Sequence, residues 1–376
     1  MVSSKRLGSR EKKHIAPSCV MTLEKRHILR GLKIFILLTF ASLGIIFIAE
    51  ASGESLNAIV HFKKTYLLLA LLLSGMDLFL GGLRIHVFFT KKILKRVSLL
   101  DCIRANLANM FVAAVTPSQT GGGPAQLYIL NRAGAPLSGA MSVSIINFFS
   151  SLFFFLISVL FISITLPRAV VDLKIDPIVR YGIVVIVLVL ASVVLLVVKP
   201  RLLSWLLQKI TTLSGFIWKR NRGKNISEKI TQQVIQFKDY IYLFLTKERP
   251  TLFLSFGITA ILYLNKYLIA YVIVRGLNLS PSLWDVFYIQ TLQFFLLYFS
   301  PTPGSAGAAE VSSAFLMSKL VPLYQLPVFV VLWRFFVTYV GVTLGGWITI
   351  KDLNAFFKEK EMRAEKFAQK PQLALD

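Results

Sequence analysis

Residues 115–130 read VTPSQTGGGPAQLYIL, a run broken by two prolines and three consecutive glycines, set between stretches that are almost wholly apolar. Lipid cannot hydrogen-bond a peptide group. A backbone interrupted in this way can therefore sit at membrane depth only where protein or a wet cavity covers it. Residues 300–310, SPTPGSAGAAE, repeat the pattern of an apolar segment, a Thr-Pro step, glycines and a new helix. Two matched interruptions in two halves are what a transporter built from an internal repeat would show.

The rest of the composition agrees with a membrane setting. Of 376 residues 55% are hydrophobic and 16% charged, with mean hydropathy +0.68, which excludes an ordinary soluble domain. A net charge of +24 could point to nucleic acid, but the basic residues lie in short connections between apolar segments, so the expected surface is anionic lipid and not nucleic acid. Cys19 and Cys102 make neither a disulfide framework nor a metal cluster and are expected on the reducing side.

Full spans are expected at about Ile34–Ala49, Tyr66–Phe89, Ser138–Leu166, Tyr181–Val198, Leu252–Val274 and Leu326–Ile350, the last carrying a Gly341-x-x-x-Gly345 packing face. The basic N-terminus, the loop from Lys91 to Arg104 and the linker from Lys199 to Arg249 fix three cytoplasmic points, while the loop with Asp172 and Asp176 is expected outside. For the chain to close, 103–130 must enter and leave from the cytoplasm and 284–320 from the exterior. The fold expected is thus all-α and polytopic, with about six transmembrane helices and two opposed re-entrant hairpins in an inverted repeat. Its divisions are a basic tail at 1–31, a transmembrane domain at 32–350 and a C-terminal tail at 351–376. The transmembrane part divides into halves at 32–198 and 250–350 around a linker at 199–249. Within the linker Ile226, Ile230, Val234, Phe237 and Ile241 share a helical face, predicting an amphipathic helix on the inner leaflet.

The chemistry is expected where the breaks meet. Free N–H groups at the new helix starts favour an anion, and a phospholipid head group carries one. The candidates for holding it are Thr116, Pro117, Gln119, Thr120, Gly122, Gly123, Pro124, Gln126 and Tyr128 in the first half, and Thr302, Pro303, Gly304, Ser305, Gly307 and Glu310 in the second. The competing role for the glycines and prolines is to let short helices turn and pack. Charges inside the spans, Asp77, Arg84, Lys266 and Arg334, are costly in a bilayer and so are functional candidates. Arg84 and Arg334 could grip a phosphate, with Asp77 and Glu310 balancing them and either Arg334 or Lys266 neutralising Glu310. For Asp77 the alternative is an internal salt bridge to Arg84, seven residues on, and Arg84 could also snorkel toward the cytoplasm. The histidines, His14, His27, His61 and His86, lie away from both breaks, and no metal, nucleotide or nucleophile motif accompanies them, so no cofactor is expected.

The runs TPSQTGGGPAQLYILNRAGAP, PTPGSAGAAE and LWRFFVTYVGVTLGG resemble the flippase-like transmembrane domain family, also called the lysylphosphatidylglycerol synthase transmembrane region, over roughly Leu32 to Ile350. The positions matching its pattern are Pro117, Gly122, Pro124, Pro303, Gly304, Gly307, Glu310 and Arg334, the run Gly121 to Gly123 being a slight departure. In that family the domain occurs alone or joined to a soluble aminoacyl-transferase domain, the fused form being the multiple peptide resistance factor, which makes and flips aminoacylated phosphatidylglycerol. The resemblance implies the lipid-translocating part without the tRNA-dependent synthase. The expectation is a flippase for an anionic or aminoacylated phospholipid or a glycolipid in a bacterial or archaeal cell membrane, both termini cytoplasmic and self-association left open. The alternatives are a membrane enzyme or enzyme subunit acting on a lipid, and a non-transporting envelope scaffold.

Overall fold

A computed structural model describes residues 25–50, 53–89, 94–165 and 223–352, with positions 184, 187, 188 and 191. The span expected at Tyr181–Val198, most of the basic linker and both tails fall largely outside these residues. Among the described residues the chain is helical, without strands. In order these are α1 (Lys25–Glu50), α2 (Gly53–Val60), α3 (Lys64–His86), α4 (Leu99–Ala114), α5 (Gly122–Arg132), α6 (Leu137–Thr165), α7 (Gly223–Thr246), α8 (Arg249–Gly276), α9 (Leu283–Tyr298), α10 (Ala308–Met317) and α11 (Leu326–Arg334). A π turn, Phe335–Tyr339, carries α11 onward.

Among the described residues five stretches are long and apolar enough to cross a membrane: Leu29–Ala49, Lys64–His86, Leu137–Ile162, Arg249–Gly276 and Leu323–Asp352. Their outer faces expose side chains such as Leu37, Phe40, Ile48, Leu72 and Phe253, each more than 60% accessible. Apolar surface on this scale needs hydrocarbon as its solvent. The protein is an all-α, multi-pass membrane protein.

At the centre α3 and α8 lie together along most of their lengths. The Asn265 side chain on α8 donates to the Leu73 carbonyl at 2.9 Å, and one residue later Lys266 reaches Asp77. Around this pair the chain makes two helix-break-helix hairpins, α4 with α5 and α9 with α10. α4 begins at Leu99, a turn before the apolar run expected from Ile103, because Ser98 caps it: its hydroxyl accepts the Asp101 N–H at 3.1 Å, with Asp101 well placed in the first turn. Small residues then allow close packing. A Cβ on Gly345 would run into the Leu107 carbonyl of α4, and one on Gly341 into Met110, so the expected glycine face of the last span receives the first hairpin.

α7 carries the predicted amphipathic pattern, but its second half docks on protein. Ser138 and Ser142 of α6 donate to the Gln236 side chain (3.0 Å) and the Phe237 carbonyl (3.3 Å), and Phe244 is buried edge-on against Phe88, just past the end of α3, with ring centres 5.1 Å apart. Ile241 is buried on the same side, whereas Ile235, Tyr242 and Leu245 face outward.

Candidate functional site

The tips of the two hairpins touch. The Ser118 N–H donates to the Pro301 carbonyl at 2.9 Å, and the Gln119 amide donates to the Ser305 hydroxyl at 3.0 Å. The contact follows from a shared local structure. In each break a Thr in extended conformation precedes a Pro that opens a single 3-10 turn, Pro117–Gln119 in one and Pro303–Ser305 in the other. The next two residues are left-handed in both: Ser118 and Gln119 at φ 49° and 57°, Gly304 and Ser305 at φ 55° and 55°. Left-handed backbone costs a non-glycine residue about 1–2 kcal/mol, so Ser118, Gln119 and Ser305 are held by their surroundings.

The surroundings differ. Ser305 and Pro303 are buried, whereas Pro117, Ser118, Gln119 and Thr120 are exposed. The second break is clamped by a buried ion pair: the Arg334 Nε donates to Glu310 Oε1 at 2.8 Å, the two side chains being 2% and 0% exposed. The other Glu310 oxygen accepts the Gly307 N–H at 2.7 Å. The carboxylate therefore occupies the helix start that was expected to await a ligand anion. Arg334 also donates to Thr338 Oγ1 (3.2 Å) and the Gly304 carbonyl (3.4 Å), and lies over the Tyr339 ring at 5.3 Å. The π turn that follows Arg334 carries both Thr338 and Tyr339; such turns recur at functional sites. From α1, Phe35 covers Gly304 and meets Tyr339 edge-on, and Gly31 brings the same helix against the Val115 carbonyl beside the first tip.

Other candidates turn elsewhere. Thr116 and Thr120 donate to their own break's backbone, at the Val112 and Pro117 carbonyls, and Thr116 also accepts the Gly121 N–H. The Thr302 hydroxyl pairs with Ser300 at 3.0 Å. Gln126 is buried between the arms of its hairpin, accepting from Asn109 and donating to Ser144 of α6, each at 2.8 Å. Gln293 does the same for the second hairpin, donating to the Ala309 carbonyl and to Ser312. Tyr128 is half-buried in core packing; Gly122 is buried against Asn109, Gly123 has open space beside it, and Pro124 is exposed.

The alternative pairing of Asp77 with Arg84 is not the one formed: Asp77 Oδ2 takes Lys266 at 2.7 Å. Lys266 is thereby committed away from Glu310. Arg84 donates instead to Ser151 of α6 at 3.0 Å. Residues that the sequence did not single out, Pro301, Tyr339, Thr338, Ser151 and Asn109, are contacts between segments; the aligned T-P-x-x-x-G of the two breaks was the available signal for Pro301 alone.

The profile of the family described as the lysylphosphatidylglycerol synthase TM region matches residues 31–345. A UPF0104 membrane protein of Archaeoglobus fulgidus is 25% identical over 314 residues, covering 83% of this chain and 94% of that protein.

Proposed function

Since this chain belongs to the family of lysylphosphatidylglycerol synthase transmembrane regions, we propose that it moves a polar lipid between leaflets, the head group passing where the two breaks meet. The observation that carries this is the tip-to-tip contact of two irregular backbones, Ser118 to Pro301 and Gln119 to Ser305. A head-group polar group taken into hydrocarbon without a partner costs about 4–8 kcal/mol on an alkane scale. Such a lipid crosses only where polar groups replace water, and a junction of two breaks shortens the unassisted distance.

In this reading the hairpins are re-entrant from opposite faces, both termini are cytoplasmic, and the membrane is the cell membrane of a bacterium or archaeon. The family's name describes a synthase, and that favours one alternative: a membrane subunit for an enzyme that modifies lipid. The two differ in what they change, since an enzyme alters total lipid species and a flippase alters only their sidedness.

The test is reconstitution into vesicles containing a trace of head-group-labelled phosphatidylglycerol, with an impermeant reductant to bleach the outer leaflet. Wild-type protein should let the bleached fraction rise well above the half seen in empty vesicles. In a chain with Cys19→Ser and Cys102→Ala, cysteines at Ser118 and Pro301 should stop this when oxidised and restore it when reduced. Bleaching that stays at half with wild-type protein, or that ignores the cross-link, refutes the proposal.

A further inference from the structure

The charges inside the described spans are unequally satisfied. Arg334 has Glu310 at 2.8 Å and Lys266 has Asp77 at 2.7 Å. Arg84 has no carboxylate partner among the described residues. Its Nη1 donates to the Ser151 hydroxyl, while its Nε is wholly buried and makes no hydrogen bond. Asp77, two turns earlier on α3, is taken by Lys266, so among the described residues one net positive charge remains at Arg84.

One group beside it is also an idle donor. Asn147 lies one turn before Ser151 on α6 and is 3% exposed; its Oδ1 accepts from Ser255 at 3.0 Å, and its Nδ2 is buried with no partner. The Ser151 proton is spent on the Asn147 carbonyl at 3.2 Å. Tyr298 donates to the Phe148 carbonyl at 3.4 Å and is the last residue of α9, three before Pro301, which receives the first tip. A half-buried cation with an idle, buried Nε–H beside the idle Asn147 N–H, on the flank of the junction, is a costly arrangement unless something anionic and rich in acceptors visits it.

We propose that Arg84, with Asn147, seats the phosphate diester of an anionic glycerophospholipid whose head group has reached the junction of the breaks. The proposal rests on the translocation reading and specifies its substrate class. A phosphate diester carries one negative charge and oxygens that only accept, which is what a guanidinium and a carboxamide N–H demand. A neutral sugar head group brings hydroxyls that would also need acceptors, and leaves the charge unbalanced.

The experiment measures binding directly, by native mass spectrometry of the protein in a neutral detergent titrated with dioctanoyl phosphatidylglycerol, dioctanoylglycerol or inorganic phosphate. Arg84→Gln should weaken phosphatidylglycerol binding by about tenfold or more, the loss of a charge-assisted hydrogen bond, and Arg84→Lys should recover part of it. Asn147→Ala should weaken it less. Dioctanoylglycerol should bind without dependence on Arg84, and inorganic phosphate should bind more weakly than the lipid. Because no acid is left unpaired, Arg84→Gln should melt no lower than wild type.

Three results overturn the seat: lipid binding unchanged in Arg84→Gln, inorganic phosphate as tight as the lipid, or an Arg84→Gln protein that melts well below wild type, which would make Arg84 structural. The two readings fail separately. Arg84-dependent binding without scrambling by the wild type sinks translocation alone, and scrambling of phosphatidylglycerol without Arg84-dependent binding sinks the seat alone.

Discussion

Removing Arg334 should damage the protein more than removing its partner, and the difference can be worked from the contacts. Arg334→Gln leaves the Glu310 carboxylate, 0% exposed, with only the Gly307 N–H at 2.7 Å and the Tyr339 hydroxyl at 3.4 Å. Orphaning one partner of a buried ion pair costs about 3–5 kcal/mol. Glu310→Gln is milder: the amide keeps an oxygen for the Gly307 N–H, and Arg334 keeps Thr338, the Gly304 carbonyl and the Tyr339 ring. The loss there is nearer a hydrogen bond to a charged group, about 1.5–3 kcal/mol. The double variant should recover about 1–3 kcal/mol relative to the sum of the singles. The assay is unfolding in mixed micelles of increasing SDS content, followed by tryptophan fluorescence, with vesicle scrambling measured on the same preparations. Effects that add to within about 0.5 kcal/mol would refute the coupling. If the pair clamps the second break and does nothing else, scrambling should return with the fold in the double variant. A folded double variant that does not scramble gives these charges a part in the transport cycle itself.

Two further outcomes are expected. A cysteine at Ser282, which precedes α9, should react with an impermeant thiol reagent on intact cells, and one at Leu100, 70% exposed at the start of α4, only after permeabilisation; the motive is the basic loop beside Leu100, and labelling of both from outside would remove the opposed entry of the hairpins. Gly345→Ala should destabilise by about 1–3 kcal/mol because its methyl would meet the Leu107 carbonyl, whereas Gly75→Ala, with nothing within 4 Å, should be neutral or stabilising by about 0.5–1 kcal/mol; equal melting temperatures for the two would count against the close packing of α4 on the last span.

The breaks were legible because backbone chemistry is local. Thr-Pro followed by residues able to turn left-handed specifies the same short structure wherever it occurs, and the structure repeats it at Ser118–Gln119 and Gly304–Ser305. The start of α4 was missed because apolar counting ignores Ser98, a polar residue that begins the helix one turn earlier. Pairing of the charges was not legible. Asp77 and Arg84 share a face, but seven residues rise about 10.5 Å along a helix, too far for a short ion pair unless both side chains bend together. Side chains lean toward the N-terminus, so Asp77 leans away from Arg84, and the long Lys266 side chain arrives from α8 instead. That choice is made by packing between segments 189 residues apart, which periodicity cannot see. Gln126 is intermediate: it sits one turn after buried Gly122 and three residues before buried Ile129, a spacing that already turned it toward the core.

The contrast between the breaks bears on where such a protein would open. The second is tied by Glu310 and Arg334, which would cost about 3–5 kcal/mol to disturb. The first is held to it by three neutral hydrogen bonds, from the Ser118 N–H and hydroxyl to the Pro301 carbonyl and from Gln119 to Ser305, worth about 0.5–1.5 kcal/mol each. Parting the tips therefore costs about 1.5–4.5 kcal/mol in polar contacts, a gap of a few kcal/mol at which the open form is a minor state, about 0.1–10% populated. Exposure agrees, since Pro117 to Thr120 are accessible and Pro303 and Ser305 are not. The two left-handed residues at the first tip lower the cost further, because Ser118 and Gln119 relax when the contact breaks. α1 opposes this, reaching Gly304 with Phe35 and Val115 through Gly31, so parting the tips also means sliding that helix. The polar seam between the two breaks is thus weaker than the clamp on the second, with Arg84, which has no carboxylate partner among the described residues, on its flank. A lipid phosphate drawn to that charge would arrive where the least work opens the path.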